Sequence, residues 1–226
     1  MINKIKTAKE AVEVIKDGAS IMVGGFMATG TPEILIDALV EKGVKNLTVI
    51  CNDAGVPGRG VGKLISTGQI KTLIASHVGL NPEVAQRMNT DVIEDKLECI
   101  LIPQGTLAER VRAGGAGLGG FLTPTGVGTI VAEGKQVINV DGRDYLLEKP
   151  LKADFALIRG SVTDKFGNTT YNATTRTFNP MMATAANYVI VGACEIVEIG
   201  EIDPNHVVTS GIFVDAIVGG EKPWQI

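Results

Sequence analysis

Three glycine-rich stretches, at residues 24–30, 55–62 and 105 onward into 114–120, each follow a short apolar run rich in β-branched residues (SIMV, LTVIC and LECILI). A turn after a strand leaves backbone N–H groups free to receive an anion. In an open α/β sheet such turns gather at the carboxyl edge, where ligands bind. The spacing fits neither common nucleotide cradle: GGFMATG lacks the G-x-G-x-x-G order, and no G-x-x-x-x-G-K-S/T occurs. Phe26 and Phe121 lie within the glycine stretches, with Arg59, Lys63, Arg110 and Arg112 in or beside them. Free amides, apolar rings and cations together suit an acylated, anionic ligand.

Candidate nucleophiles and metal ligands are scarce. Cys51, Cys99 and Cys194 each sit in or beside an apolar run without C-x-x-C spacing and read as reduced core thiols. His77 and His206 offer no matching ligand spacing, so no metal site is expected. Glu33, Glu83 and Glu109 fall in the first or second turns of predicted helices, where a carboxylate ordinarily complements the helix N-terminus.

Composition narrows the function classes. The 226 residues are 45% hydrophobic and 20% charged, in the range of a globular chain. With 21 Lys and Arg against 25 Asp and Glu, and only 4% aromatic residues, the chain lacks the basic and stacking groups that hold nucleic acid. The longest apolar stretches, near residues 21–28 and 188–194, fall short of the ~20 residues that span a bilayer. The opening MINKIKTAKEAVEVIKDG lacks the apolar core of a secretory signal, so a cytoplasmic location is expected.

The elements that must position these residues alternate between short apolar strands and helical periodicities, the pattern of an α/β fold with an open, mostly parallel sheet flanked by helices. Thr7 is expected to cap a helix through Ile15 that ends near Gly18, with a strand at residues 20–23. Thr31-Pro32-Glu33 reads as cap, first-turn proline and first-turn acid of a helix to Lys42, closed by Gly43. Strands follow at residues 46–51 and 71–76, the first leading into a loop over 52–62 and the second into a helix from Asn81-Pro82-Glu83. A strand over 97–102 leads into a short amphipathic helix around Leu107 and Val111. Residues 114–128 read as too glycine-rich for a regular element. Asp141-Gly142 and Phe166-Gly167-Asn168 mark hairpins of a β-hairpin-rich insertion in the second half, and Asn179-Pro180 starts a capped helix before the buried strand YVIV. No repeat or linker appears, so residues 1–226 are expected to form a single domain.

Residues 17–32, DGASIMVGGFMATGTP, resemble the signature of family I coenzyme A transferases: a DG pair, apolar residues, GGF and then G-x-P. The resemblance continues through Asn52-Asp53-Ala54-Gly55, Ser76-His77 with Asn81-Pro82-Glu83, PQGTLAERVRAGGAG and FLTPTGVGT, and so covers nearly the whole chain. It points to the alpha subunit of two-subunit 3-oxoacid, acetate or butyrate-acetoacetate CoA-transferases, or to the N-terminal half of fused relatives.

That resemblance implies a CoA-transferase-like fold and ping-pong transfer of CoA between a short-chain acyl-CoA and a free carboxylate, through a glutamyl-CoA thioester. The glutamate belongs to a beta subunit, in a Glu-Asn-Gly type motif that this chain lacks, which implies a heterotetramer or larger assembly. CoA enters as a substrate, with no separate cofactor. The implied contacts to it are Gly24, Gly25, Phe26, Met27, Gly30, Asn52, Asn81, Gly105 and Gly115, and Gln104 is implied as the donor to the oxyanion. Met27, Ala28, Thr29, Phe121 and Leu122 are expected to shape a small acyl pocket. A sugar-phosphate isomerase or sensor domain of related fold is the alternative, and a non-catalytic CoA-binding module a third reading.

Overall fold

The computed structural model describes residues 3–222, so the two ends of the expected 1–226 span lie outside the described residues. The first half delivers α1 (Ala8–Val12), β1 (Ser20–Val23), α2 (Glu33–Lys42), β2 (Leu47–Cys51), α3 (Val61–Ser66), β3 (Ile70–Ala75), α4 (Pro82–Met88), β4 (Glu98–Leu101) and α5 (Gln104–Gly115). The second half adds β5 (Phe121–Thr123), β6 (Val137–Val140), β7 (Arg143–Glu148), β8 (Ala153–Asp164), β9 (Thr169–Thr170), α6 (Asn179–Thr184), β10 (Ala186–Val197) and β11 (Ala216–Gly219).

Seven strands run parallel in the order β11-β10-β8-β1-β2-β3-β4, and β9 pairs antiparallel with β8. The chain steps outward from β1 to β4, then resumes on the other side of β1 with β8. The reversal between β1 and β8 is a switch point, where loops leave the sheet in opposite directions and open a crevice. Period-two alternation splits the apolar residues between two cores. Ile21, Val23, Val49, Cys51, Leu157 and Ile190 face the layer of α1 to α4. Met22, Ile50, Ala156, Ile158, Val189 and Val191 face α5 and α6. Burial on both faces explains why the strands read as near-continuous apolar runs.

Local signals behave as their chemistry demands. Thr7 and Glu10 form a reciprocal capping box, Gly43 closes α2 in the left-handed region, and the Asn81 side chain caps α4. Asp141 and Gly142 take φ of 50° and 82° and turn β6 into β7; β5-β7-β6 is the antiparallel insertion.

Five expectations need correction. Helix α1 stops at Val12, and Ile15 is buried beyond it. Residues 61–66, read as the end of a loop, form α3, whose Val61, Leu64 and Ile65 enter the core. Thr31 does not cap α2; Pro32 holds that position, and the buried Glu221 carboxylate accepts from the Ile34 amide at 3.0 Å. Asn179 begins α6 but, buried, turns its amide away from the helix's own backbone onto the Gly30 carbonyl, with Phe178 at the cap position. The glycine-rich stretch from 114 carries the last two residues of α5 and the strand β5. Gly114 and Gly115 are helical because the helix closes onto Leu151 and Thr184, where a Cβ would collide with the Leu151 carbonyl or the Thr184 hydroxyl.

Two outcomes follow from these contacts. Gly114→Ala should destabilise the chain by about 1–3 kcal/mol through overpacking. Gly105→Ala in the same helix, with nothing within 4 Å of a Cβ, should stabilise it by about 0.4–1 kcal/mol. Chemical denaturation of the two variants checks the opposite signs. Burial pushes the Glu221 carboxyl above the ordinary 4.5, against the opposing Ile34 amide and Arg159 charge. The folded chain therefore holds that proton more tightly than the unfolded one, and the group's stabilising contribution, complete below the ordinary value, is lost as pH rises through the raised one. The Tm of Glu221→Gln relative to the parent should rise as the pH is raised above the ordinary 4.5, and a pH-independent difference would contradict this assignment.

Candidate active site at the carboxyl edge of the sheet

Strand β1 hands over to a turn that is tight on every side. The Gly24 amide donates to the Leu157 carbonyl at 3.1 Å, tying the turn's start to β8. Phe26 and Thr29 then exchange two backbone hydrogen bonds at 2.9 and 2.8 Å, closing a four-residue hairpin. Its central residues, Met27 and Ala28, have φ of 49° and 65°, left-handed values that such turns normally give to Asn and Gly. Each such residue costs on the order of 1–3 kcal/mol unless its surroundings hold it. Asn179 is the clamp behind the turn. Its amide donates to the Gly30 and Thr175 carbonyls, both at 2.9 Å, and its Oδ1 accepts from the Arg159 amide at 3.1 Å. A Cβ on Gly24 would strike Asn179, and one on Gly30 would strike the Thr175 carbonyl.

The end of β2 lies beside this turn. Asn52, 1% exposed, accepts from the Gln104 side-chain amide at 3.0 Å through its Oδ1. Its neighbour Asp53, 5% exposed, accepts from the Met27 amide at 3.1 and 3.3 Å with its two oxygens, and from the Gly55 amide at 3.1 Å. Burial pushes the Asp53 carboxyl above the ordinary carboxylate range, opposed by the Met27 amide, the nearby His77 and the Gly55 amide. At the end of β3, Ser76 donates to the Asn52 carbonyl at 2.6 Å, and His77 pairs with Asp53 in an isolated parallel bridge. The Phe26 ring lies 5.9 Å from the His77 ring at a tilt of 51°.

Gln104 is the first residue of α5, with Pro103 at the cap position and no side-chain cap. It is exposed, and the bond to Asn52 occupies one of the two N–H groups of its amide. Phe26 and Met27 are 39% and 43% exposed, large apolar groups presented to solvent at the same edge. The strand ends thus gather Gly24, Gly25, Phe26, Met27, Gly30, Asn52, Gln104 and Gly105. Asn81 lies nearby, buried, with its amide spent on the Ala54 carbonyl and the Glu83 amide.

Other sequence candidates are not brought there. Gly115 ends α5, about 16 Å along the helix from Gln104. Phe121 and Leu122 belong to β5, which follows that far end and pairs with β7. Arg110 is tied to the Lys149 carbonyl and Glu148, and Arg112 to Glu109. Lys63 is held by Glu33 and Asp37. It borders an open depression of about 420 Å³ on the other side of the turn, lined also by Ala28, Arg59, Arg159 and Glu221. Glu33 further accepts from the Gly60 amide, and Glu83 from Ser66, so the three candidate carboxylates are engaged as structural groups. All three cysteines are free, and burial raises each thiol above its ordinary range, the reverse of a poised thiolate.

Asp53 and Asn179 are the residues to which sequence reading gave no role at the site. Asp53 stands in the quoted NDAG segment directly after a strand, a position from which a carboxylate meets turn amides. Asn179 gives no such signal, because its partners lie up to 149 residues away.

The family model described as Coenzyme A transferase matches residues 5–220. Among characterised relatives, the acetate CoA-transferase subunit alpha of Escherichia coli K12 is 50% identical over 222 residues, covering 98% of this chain and 99% of the relative. The acetoacetyl-CoA:acetate/butyrate CoA transferase alpha subunit of Clostridium acetobutylicum is 49% identical, covering 96% and 98%. The fold is shared with an acyl-CoA transferase of Escherichia coli O157:H7, at TM-score 0.83 and 24% identity, covering 99% of this chain and 48% of the other. This chain therefore spans about half the length of that protein. Glutaconate CoA-transferase of Acidaminococcus fermentans gives TM-score 0.81 and 20% identity, covering 95% and 75%. A match at half identity along almost the whole length, on the fold of solved transferases, makes this chain a member of the coenzyme A transferase family, of the alpha-subunit type.

Proposed function

We propose that this alpha subunit binds the acyl carbonyl of a short-chain acyl-CoA between Gln104 and the Phe26–Met27 tip, while a partner beta subunit supplies the glutamate that carries CoA. The observation that supports this most is the Gln104 amide, fixed on Asn52 with one N–H remaining, beside exposed apolar side chains at the carboxyl edge. The partner's carboxylate attacks the thioester carbonyl, and the negative charge that develops on the carbonyl oxygen is met by the Gln104 N–H. The C–S bond then breaks, giving a mixed anhydride and CoA thiolate. Attack of that thiolate on the glutamyl carbonyl releases the donor's carboxylate and leaves a glutamyl-CoA thioester. An acceptor acid reverses the sequence and leaves with CoA.

In this scheme CoA is a substrate, and no metal or redox cofactor takes part. The uncapped first turn of α5 adds the positive end of a helix, and Gly105 lets an anionic ligand approach its backbone. Gly24, Gly25 and Gly30 act behind the site, admitting Asn179, Thr31 and Thr175 rather than ligand. Acetyl, acetoacetyl and butyryl groups are the proposed acyl range, supported by the names of the two relatives and the small apolar tip. We place the chain as a single domain in a heterotetramer or larger assembly in the cytoplasm. Three unpaired cysteines support that compartment, and no described helix is long and apolar enough to cross a membrane. Family membership disfavours the sugar-phosphate alternative.

Two measurements test this reading. On the reconstituted pair, Gln104→Ala should lower kcat by roughly 10²–10³ with little change in KM, because the donor acts on charge present only in the transition state. Wild-type kcat in a folded Gln104→Ala complex would assign this residue to loop support alone. The purified chain by itself should show no transfer, and addition of the beta subunit should restore ping-pong kinetics; turnover without the partner would place the nucleophile in this chain.

A further inference from the structure

We infer that Asp53 is a positioning residue for acyl selectivity: its carboxylate holds the left-handed Met27–Ala28 turn and so fixes the acyl-facing tip relative to Gln104. The inference rests on the proposed placement of the acyl group against Phe26 and Met27. Three observations carry it. The turn puts two non-glycine residues in a conformation that L side chains rarely adopt, so something must hold it. Both Asp53 oxygens receive the Met27 amide, and one also receives the Gly55 amide, so the same group braces the hairpin and the start of the next loop. Asn52, one residue earlier, receives Gln104. The chain Gln104–Asn52–Asp53–Met27 therefore links the carbonyl donor to the apolar tip through two adjacent residues of one strand end.

Position, rather than the presence of a wall, is what discriminates between acyl groups that differ by methylenes. Such discrimination amounts to roughly 10–200-fold per methylene and depends on a pocket that does not yield. Released from Asp53, the turn relaxes towards ordinary φ values, and Met27 moves with it. The carbonyl donor, anchored separately on Asn52, stays in place.

The test is the ratio of kcat/KM for acetyl-CoA and butyryl-CoA on the reconstituted alpha–beta complex. Asp53→Ala should move that ratio towards one by about tenfold, mainly through KM. Asp53→Asn, which keeps one acceptor oxygen, should give a smaller shift in the same direction. Adding Ala28→Gly to either variant should recover part of the selectivity, because glycine adopts the left-handed turn without a brace. Met27→Ala tests the underlying reading separately. If it leaves the ratio unchanged, the acyl group does not meet the tip, and both reading and inference fall. If Met27→Ala shifts the ratio while the Asp53 variants lower activity uniformly or leave it unchanged, the inference alone is overturned. Should Asp53→Ala not assemble, an unchanged ratio in Asp53→Asn overturns it equally.

Discussion

Successive side chains on a strand point to opposite faces, and at the end of β2 that rule divides the polar groups of the candidate site between two layers. Leu47, Val49 and Cys51 face the α1–α4 layer. Continued by one residue, the alternation sends Asn52 towards α5, where it meets Gln104; by two, it sends Asp53 back to the turn that feeds α2. A shift of one residue in strand pairing would exchange the two. The register of β2 against β1, from Ser20 with Thr48 through Val23 with Cys51, is thus as much a part of the site as the polar groups themselves.

The electrostatics of this edge depend on buried carboxylates that act as acceptors for backbone amides. Asp53 braces a turn and Glu221 caps a helix. Each is costly to bury, and each is retained where a main-chain N–H has no partner within its own element. Groups of this kind fix geometry without contributing a nucleophile. In the proposed function such a chain presents a carbonyl and leaves the covalent chemistry to a partner.

Much of this was legible in the sequence where the cause is local. The cap at Thr7, the start of α4 at Asn81-Pro82, the end of α2 at Gly43 and the Asp141-Gly142 turn are each decided within four residues, and each formed as read. What escaped has distant causes. The carboxylate for α2 arrives from a residue 187 positions away. The glycines ending α5 looked like breakers because Leu151 and Thr184, which demand their smallness, cannot be seen in the helix's own pattern. Gly115 appeared to belong with the other glycine turns because motif order conceals that α5 carries the chain away from the site edge.

The clamp of Asn179 on the glycine turn has a consequence for how the site comes into being. The partners of Gly24 and Gly30 lie on β8 and around the start of α6, which begin at Ala153 and Asn179, so the emerging chain can pair β1 to β4 and brace Met27 from Asp53 long before anything clamps the two ends of the turn. Contacts of such high sequence separation form late, after the entropy of closing a long loop has been met. The candidate site's edge therefore hardens late during synthesis, after β1 to β4 have paired. Until then its apolar tip is held by Asp53 alone, a window in which an early-arriving partner meets a surface that is not yet shaped for it.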